Sequence, residues 1–62
     1  MVKHFVKIFY GNFMDDLQQE VNAFTSKSDF GSLAKIQDIQ IVQKGEHSMA
    51  IMVHYTAYRE VQ

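Results

Sequence analysis

The sequence contains neither cysteine nor proline. Without cysteine the chain can form no disulfide, no thiolate zinc site and no thiol nucleophile. The lack of proline removes the rigid turns that are typical of an all-β fold. The histidines, at positions 4, 47 and 54, match no local spacing of metal ligands. We therefore expect neither a metal site nor a cofactor.

A strong net charge and long apolar runs are also missing. The formal net charge is −1 at pH 7, which gives no general electrostatic attraction to nucleic acid. No apolar run approaches the roughly 18 residues that a membrane span needs, and the amino terminus lacks the hydrophobic segment of a signal peptide. We expect a soluble, cytoplasmic protein that does not bind membranes.

The chain of 62 residues is expected to form one domain, over residues 1–62. A chain of this length buries only about 60% of the surface that its unfolded form exposes, so its stability is marginal. Small domains usually gain stability from disulfides, a metal or association with further copies. Since the first two are not expected, self-association remains.

Hydrophobic periodicity predicts three strands and one helix in the order β-α-β-β. The strands are predicted over residues 2–10, 36–44 and 47–58, and the helix over 13–26. Met14, Leu17, Val21 and Phe24 form an apolar stripe along the helix. The third strand is the most apolar, so we place it in the centre of the sheet, in the order 1-3-2. The predicted class is α+β, with the helix packed on one face of the sheet.

One helix covers only one face of such a sheet, so the other face is predicted to be open. On the first strand, Val6 and Ile8 are assigned with His4 to the helix side. The open face is then predicted to consist of Lys3, Phe5, Lys7, Phe9, Val42, Ala50, Met52, His54, Thr56 and Tyr58. An exposed apolar area of several hundred Å² usually marks an interaction site. The residues predicted to bind a partner there are Phe5, Lys7, Phe9, Val42, Met52, His54 and Tyr58.

Three occupants of this face are considered. The favoured one is a second copy of the chain, packed sheet to sheet or paired along a strand edge. The second is a different protein. The third is single-stranded nucleic acid, because aromatic rings on an open sheet stack on bases. The residues that would bind it are Lys3, Phe5, Lys7, Phe9 and Tyr58, but the acidic outer face of the helix opposes this interpretation.

The candidate catalytic residues have simpler explanations. His54 could face Asp38 on the neighbouring strand, but a catalytic histidine also needs a nucleophile or a substrate pocket. Asp15 and Asp16 are adjacent on the helix and point about 100° apart, so they do not converge on one atom. Small tautomerases share this length and element order, but they rely on an amino-terminal proline that is missing here. We expect no enzymatic activity and no small-molecule substrate.

Three segments resemble a known family: "VKIF" at residues 6–9, "DDLQQEVNAF" at 15–24 and "SMAIMVHY" at 48–55. They are similar to the controlled-by-sigma-E sporulation proteins of Firmicutes and to related short proteins of unknown function. That family has an acidic run after its first strand, where this chain has Tyr10, Gly11 and Asn12. The resemblance implies the fold and a bacterial host, but no activity or cofactor. Small accessory proteins of phages or mobile elements have a similar size and composition.

Overall fold

The computed structural model describes residues 1–43 and 45–62. Its elements are β1 (Lys3–Gly11), α1 (Met14–Thr25), β2 (Ala34–Gln43) and β3 (Met49–Ala57). Both β1 and β2 pair with β3 in antiparallel fashion, which gives the strand order β1-β3-β2. The predicted α+β fold, with its strand order, is confirmed. The predicted end of the second strand at Lys44 lies outside the described residues.

The helix α1 forms where the apolar spacing changes from two residues to three and four. Leu17, Val21 and Phe24 are buried along one side of it. Asp15 and Asp16 lie in its first turn, where the helix dipole favours negative charge. The helix ends at Thr25, whose hydroxyl donates a hydrogen bond of 3.0 Å to the carbonyl oxygen of Val21.

A cluster of aromatic rings fills the space between α1 and the sheet. Phe24 lies at its centre and meets Phe9, Phe30 and Tyr55 edge to face, with ring centroids 5.7, 5.1 and 5.6 Å away. Phe5 stacks on Tyr55 at 5.5 Å. Such pairs contribute about 0.5–1.5 kcal/mol each beyond the burial of their area. These rings, from β1, α1, β3 and the segment before β2, therefore form an aromatic part of a core whose other buried residues are aliphatic.

The positions of Phe5 and Phe9 correct the sequence analysis, which assigned them to the open face. Phe5 pairs with Tyr55 and Phe9 with Ile51, and both phenylalanines pack against the core under α1. The prediction was wrong because both registers of this strand carry large apolar residues, and the two lysines beside the phenylalanines made their register look solvent-facing.

Lys7 shares the helix side of β1 with these rings, and it was also assigned to the open face. Its ammonium group lies 5.8 Å from the ring centroid of Phe9. A lysine on an edge strand can lay its alkyl stem along an apolar surface and still keep its charge in water. The lysines of β1 are thus compatible with the covered face.

The carboxyl-terminal residues return to the core. Val61 is buried, and its backbone N–H donates a hydrogen bond of 3.1 Å to the phenolic oxygen of Tyr55. This contact satisfies the hydroxyl of a tyrosine whose ring is fully enclosed. The sequence analysis did not predict it, because Val61 lies beyond the last strand.

The helix lies over β1 and β3, while β2 extends beyond its cover. Ile39 and Ile41 face the helix side, since they pair with Val53 and Ile51. Both nevertheless remain exposed. The pairing of β2 shifts register between Ile36 and Asp38, which marks a β-bulge. In the part of the chain that the structure describes, no helix is long and apolar enough to cross a membrane.

Candidate functional site

The face of the sheet opposite α1 is not covered by the described chain. Side chains alternate between the two faces of a strand, so the strand register identifies its members. We define the open face as His4, Val6, Ile8 and Tyr10 of β1, Lys35, Asp38, Gln40 and Val42 of β2, and Ala50, Met52, His54 and Thr56 of β3. It is divided into an apolar part and a polar part.

The apolar part lies towards the end of β1 and the start of β3. Ile8 pairs with Met52, while Tyr10 and Val42 lie on either side of Ala50. The central Ala50 is buried and Met52 is half-buried, whereas the residues that flank them are exposed. Val6 continues this exposed row along β1. A continuous apolar strip therefore crosses all three strands.

The polar part lies at the other end of β3, and its side chains form hydrogen bonds with one another. The amide nitrogen of Gln37 donates to the hydroxyl of Thr56 at 3.0 Å. The amide nitrogen of Gln40 donates to a carboxylate oxygen of Asp38 at 3.1 Å. These contacts order the polar side chains without covering the apolar strip.

His4 and His54 also meet in this polar part. Nδ1 of His4 lies 2.9 Å from Nε2 of His54, and the two rings stack with centroids 5.1 Å apart. The sequence analysis had assigned His4 to the helix side of the sheet and His54 to the open face. That assignment of His4 was wrong for the same reason as that of Phe5 and Phe9. In the observed register of β1 against β3, the two histidines are diagonal neighbours on one face.

The predicted partner-binding residues divide into two groups. Val42, Met52 and His54 lie on the open face, and Tyr58 is exposed just after β3. Phe5, Lys7 and Phe9 lie on the opposite face. Their places are taken by residues that the sequence analysis did not select, namely Val6, Ile8 and Tyr10. The signal that could have identified them is side-chain volume. The apolar stripe along α1 is narrow, so large rings are needed on the facing side of β1 to fill the core.

The suggested pair of His54 and Asp38 is arranged differently from a catalytic dyad. The two residues are opposite each other across β3 and β2. However, the hydrogen bonds of the described residues join His54 to His4 and Asp38 to Gln40. A carboxylate orients a catalytic histidine by accepting the N–H of its ring. The arrangement seen here does not provide that contact.

Two depressions lie on the helix side of the molecule. A groove of about 570 Å³ runs along the edge of β1, where it is lined by Lys7, Glu20 and Lys27. In this groove the ammonium group of Lys27 donates to the backbone carbonyl of Gln62. A cleft of about 250 Å³ lies between α1 and β2, next to Ile39. The groove reaches Ile8 and Tyr10 at the β1 edge of the open face, whereas the cleft lies on the helix side alone.

Comparison with known proteins gave no match to a protein-family model, to a curated protein or to a solved structure. The resemblance to the sporulation proteins therefore stays a prediction from the sequence.

Proposed function

We propose that the protein is non-enzymatic and acts by protein–protein contact, as a homodimer formed through the open face of its sheet. The observation that supports this most directly is the apolar strip. Four of its side chains are exposed, namely Val6, Ile8 and Tyr10 on β1 and Val42 on β2. The helix of the same chain lies on the other side of the sheet. Burial of exposed apolar area is the main favourable term in most protein association.

The surface area of the isolated chain supports association. The chain exposes 4499 Å². A compact monomer of 7.2 kDa is expected to expose about 4100 Å². The excess agrees with the elongated shape, whose principal extents are 40 × 18 × 15 Å. A second copy on the open face would thicken the molecule along one of its short dimensions and reduce its exposed surface.

Charge and shape favour a second copy as the partner. The open face carries one lysine, Lys35, and one aspartate, Asp38, in addition to its histidines. Two such faces therefore do not repel each other strongly. A sheet also presents a regular surface that packs against another sheet at about 10 Å, with the strands nearly aligned. Most soluble homo-oligomers are two-fold dimers whose interface uses the same patch twice.

The size of the face sets the expected affinity. Three strands spaced by about 4.8 Å, with nine residues at about 3.3 Å each, give a footprint of about 400 Å² per copy. This is smaller than the roughly 800 Å² per partner of a stable complex, and interfaces below that size are usually weak. We expect a dissociation constant of about 1–100 µM. The dimer should therefore be in equilibrium with the monomer at ordinary concentrations.

The alternative, nucleic-acid binding, lacks the exposed aromatic surface that it needs. It required the rings of Phe5 and Phe9 on an exposed sheet, and both rings pack against the core. A different protein partner remains an outcome of the test below. The cytoplasmic location, and an origin in a sporulating bacterium or in a phage, remain proposals that rest on the sequence resemblance and composition.

Sedimentation equilibrium at about 5 and 500 µM tests the proposed dimer. We expect the average mass to rise with concentration from that of one chain towards that of two. Ile8→Glu and Val42→Glu should each raise the dissociation constant by about tenfold or more, because each places a charge in the apolar strip. Circular dichroism should show that both variants stay folded.

Ile41→Glu provides the matched control. Ile41 is the neighbour of Val42 in β2 and is also exposed, but it lies on the helix side of the sheet. We expect it to leave the dissociation constant unchanged within about threefold. A wild-type chain that stays monomeric at 500 µM would refute the proposal. So would an Ile41→Glu variant that dissociates as strongly as Val42→Glu.

A further inference from the structure

The hydrogen-bonded histidines of the open face bring two ring nitrogens together. The antiparallel register places His4 opposite Thr56 and His54 opposite Val6, so the two imidazoles are diagonal neighbours. Since Nδ1 of His4 lies 2.9 Å from Nε2 of His54, one ring donates and the other accepts. The accepting nitrogen carries a lone pair, and imidazole nitrogen is a common ligand of Zn²⁺ and similar ions.

The distance between the two nitrogens is close to that in a metal site. Zn–N bonds of about 2.0–2.1 Å at a tetrahedral angle separate two nitrogen ligands by about 3.3–3.4 Å. The observed separation is 2.9 Å. Turning both rings so that these two nitrogens point at one ion, with the gap widened by about 0.4 Å, would allow a metal ion to bind. The ring that now donates would then carry its proton on its other nitrogen.

One chain supplies only half of the ligands that such an ion needs. Among the described residues, no group of three or more histidine, aspartate or glutamate side chains is arranged to hold a metal. A closed zinc site has four protein ligands. The face proposed for dimerisation offers the other half, because a two-fold interface presents each patch twice. An axis running along the central strand, β3, places the two three-stranded faces opposite each other and sets the two histidine pairs, which lie between β3 and β1, about 5 Å apart across the axis.

We propose that His4 and His54 form half of a binding site for a divalent transition-metal ion such as Zn²⁺, completed by the same two residues of a second copy. This inference rests on the proposed function, since it needs the two open faces to meet. Asp38, opposite His54, adds negative charge beside the pair, while Lys35 is the lysine on this face. The ion would strengthen an interface that is small by its area alone.

The test uses the full chain, stripped of metal with a chelator and then titrated with Zn²⁺ by calorimetry. We expect one Zn²⁺ for every two chains. Sedimentation equilibrium should show that Zn²⁺ lowers the dissociation constant of the dimer by about tenfold or more. Co²⁺ should give the intense visible absorption of a tetrahedral site.

The variants His4→Gln and His54→Gln should each abolish these three effects. Glutamine keeps a polar side chain at the exposed position 4 and at the half-buried position 54, so both variants should fold. His47→Gln is the matched control, because His47 is exposed outside the strands. We expect it to bind Zn²⁺ as the wild type does.

Several results would overturn the inference. They are the absence of Zn²⁺ binding, a stoichiometry of one ion per chain, and unchanged binding by His4→Gln. A dimer that forms in chelator, dissociates in the Ile8→Glu variant and ignores Zn²⁺ would refute the metal site and leave the proposed function intact. A chain that is monomeric both in chelator and in Zn²⁺ would refute both.

Discussion

The two faces of the sheet are both apolar along β1, but they carry different kinds of side chain. On the face under α1, Phe5 and Phe9 join an aromatic cluster. On the open face, the same strand presents the smaller, β-branched Val6 and Ile8, which remain exposed. The comparison shows that hydrophobicity alone did not decide which side is buried. The rings lie on the helix side, where they are half-buried, because they have the volume to fill the space below a single helix.

The largest contrast between the faces is expected from truncating one aliphatic side chain on each. Leu17 is 1% exposed in the core between α1 and the sheet, and Leu17→Ala should lower the free energy of unfolding by about 3–5 kcal/mol. A domain of this size has only about 3–9 kcal/mol in total, so the variant should be largely unfolded. Ile8→Ala, on the open face, should cost about 1 kcal/mol or less in the monomer. Urea unfolding at low micromolar concentration, followed by circular dichroism, measures both values.

The same two variants, Leu17→Ala and Ile8→Ala, distinguish the monomer from the dimer. At about 500 µM the wild type should gain stability, because dimerisation stabilises the folded state by mass action. Ile8→Ala should gain less. Equal losses from Leu17→Ala and Ile8→Ala in the monomer would contradict the assignment of the two faces.

A smaller contrast is expected from two neighbours on β1. Phe5→Ala should lower the free energy of unfolding by about 2 kcal/mol, because the ring is half-buried and stacks on Tyr55. Val6→Ala should change it by about 0.5 kcal/mol or less at low concentration. Thermal unfolding of the two variants in parallel provides the measurement. The reverse order of stability would show that β1 faces the other way.

The smallest contrast comes from removing one hydroxyl on each face of β3. Tyr55→Phe leaves the buried N–H of Val61 without its acceptor, which should cost about 1–2 kcal/mol. Thr56→Val removes a hydroxyl that accepts from Gln37 and donates to the backbone carbonyl of Lys35, and both partners are exposed and can bind water instead. We expect that substitution to change the stability by about 0.5 kcal/mol or less. Denaturant titration resolves the difference, and similar costs would argue against the closure of the core by the carboxyl terminus.

The element order, the strand order and both faces of β3 could be predicted from the sequence. The central strand is apolar in one register and mixed in the other, so its orientation follows from alternation. The same rule failed for β1, where valine and isoleucine alternate with phenylalanine. Choosing between these registers requires the volume of the core, which depends on residues far away in the sequence, such as Phe24 and Phe30.

The histidine pair could not be predicted for a related reason. His4 and His54 are fifty positions apart, and their contact depends on both the orientation of β1 and its register against β3. A shift of β1 by one residue against β3 would place the two histidines on opposite faces of the sheet. Hydrophobic periodicity could not predict the burial of Val61 either, because this residue lies outside the helix and the strands. Long-range packing determines both features.

The bulge near the start of β2 has a consequence for how the protein behaves when it is concentrated. A free strand edge is a template on which further strands can add, and such growth leads to aggregates. The bulge between Ile36 and Asp38 interrupts the regular row of backbone donors and acceptors on that strand. Lys35 and Asp38 place charges beside the interruption. A neighbouring chain can therefore align with only part of this edge, which disfavours strand addition along β2.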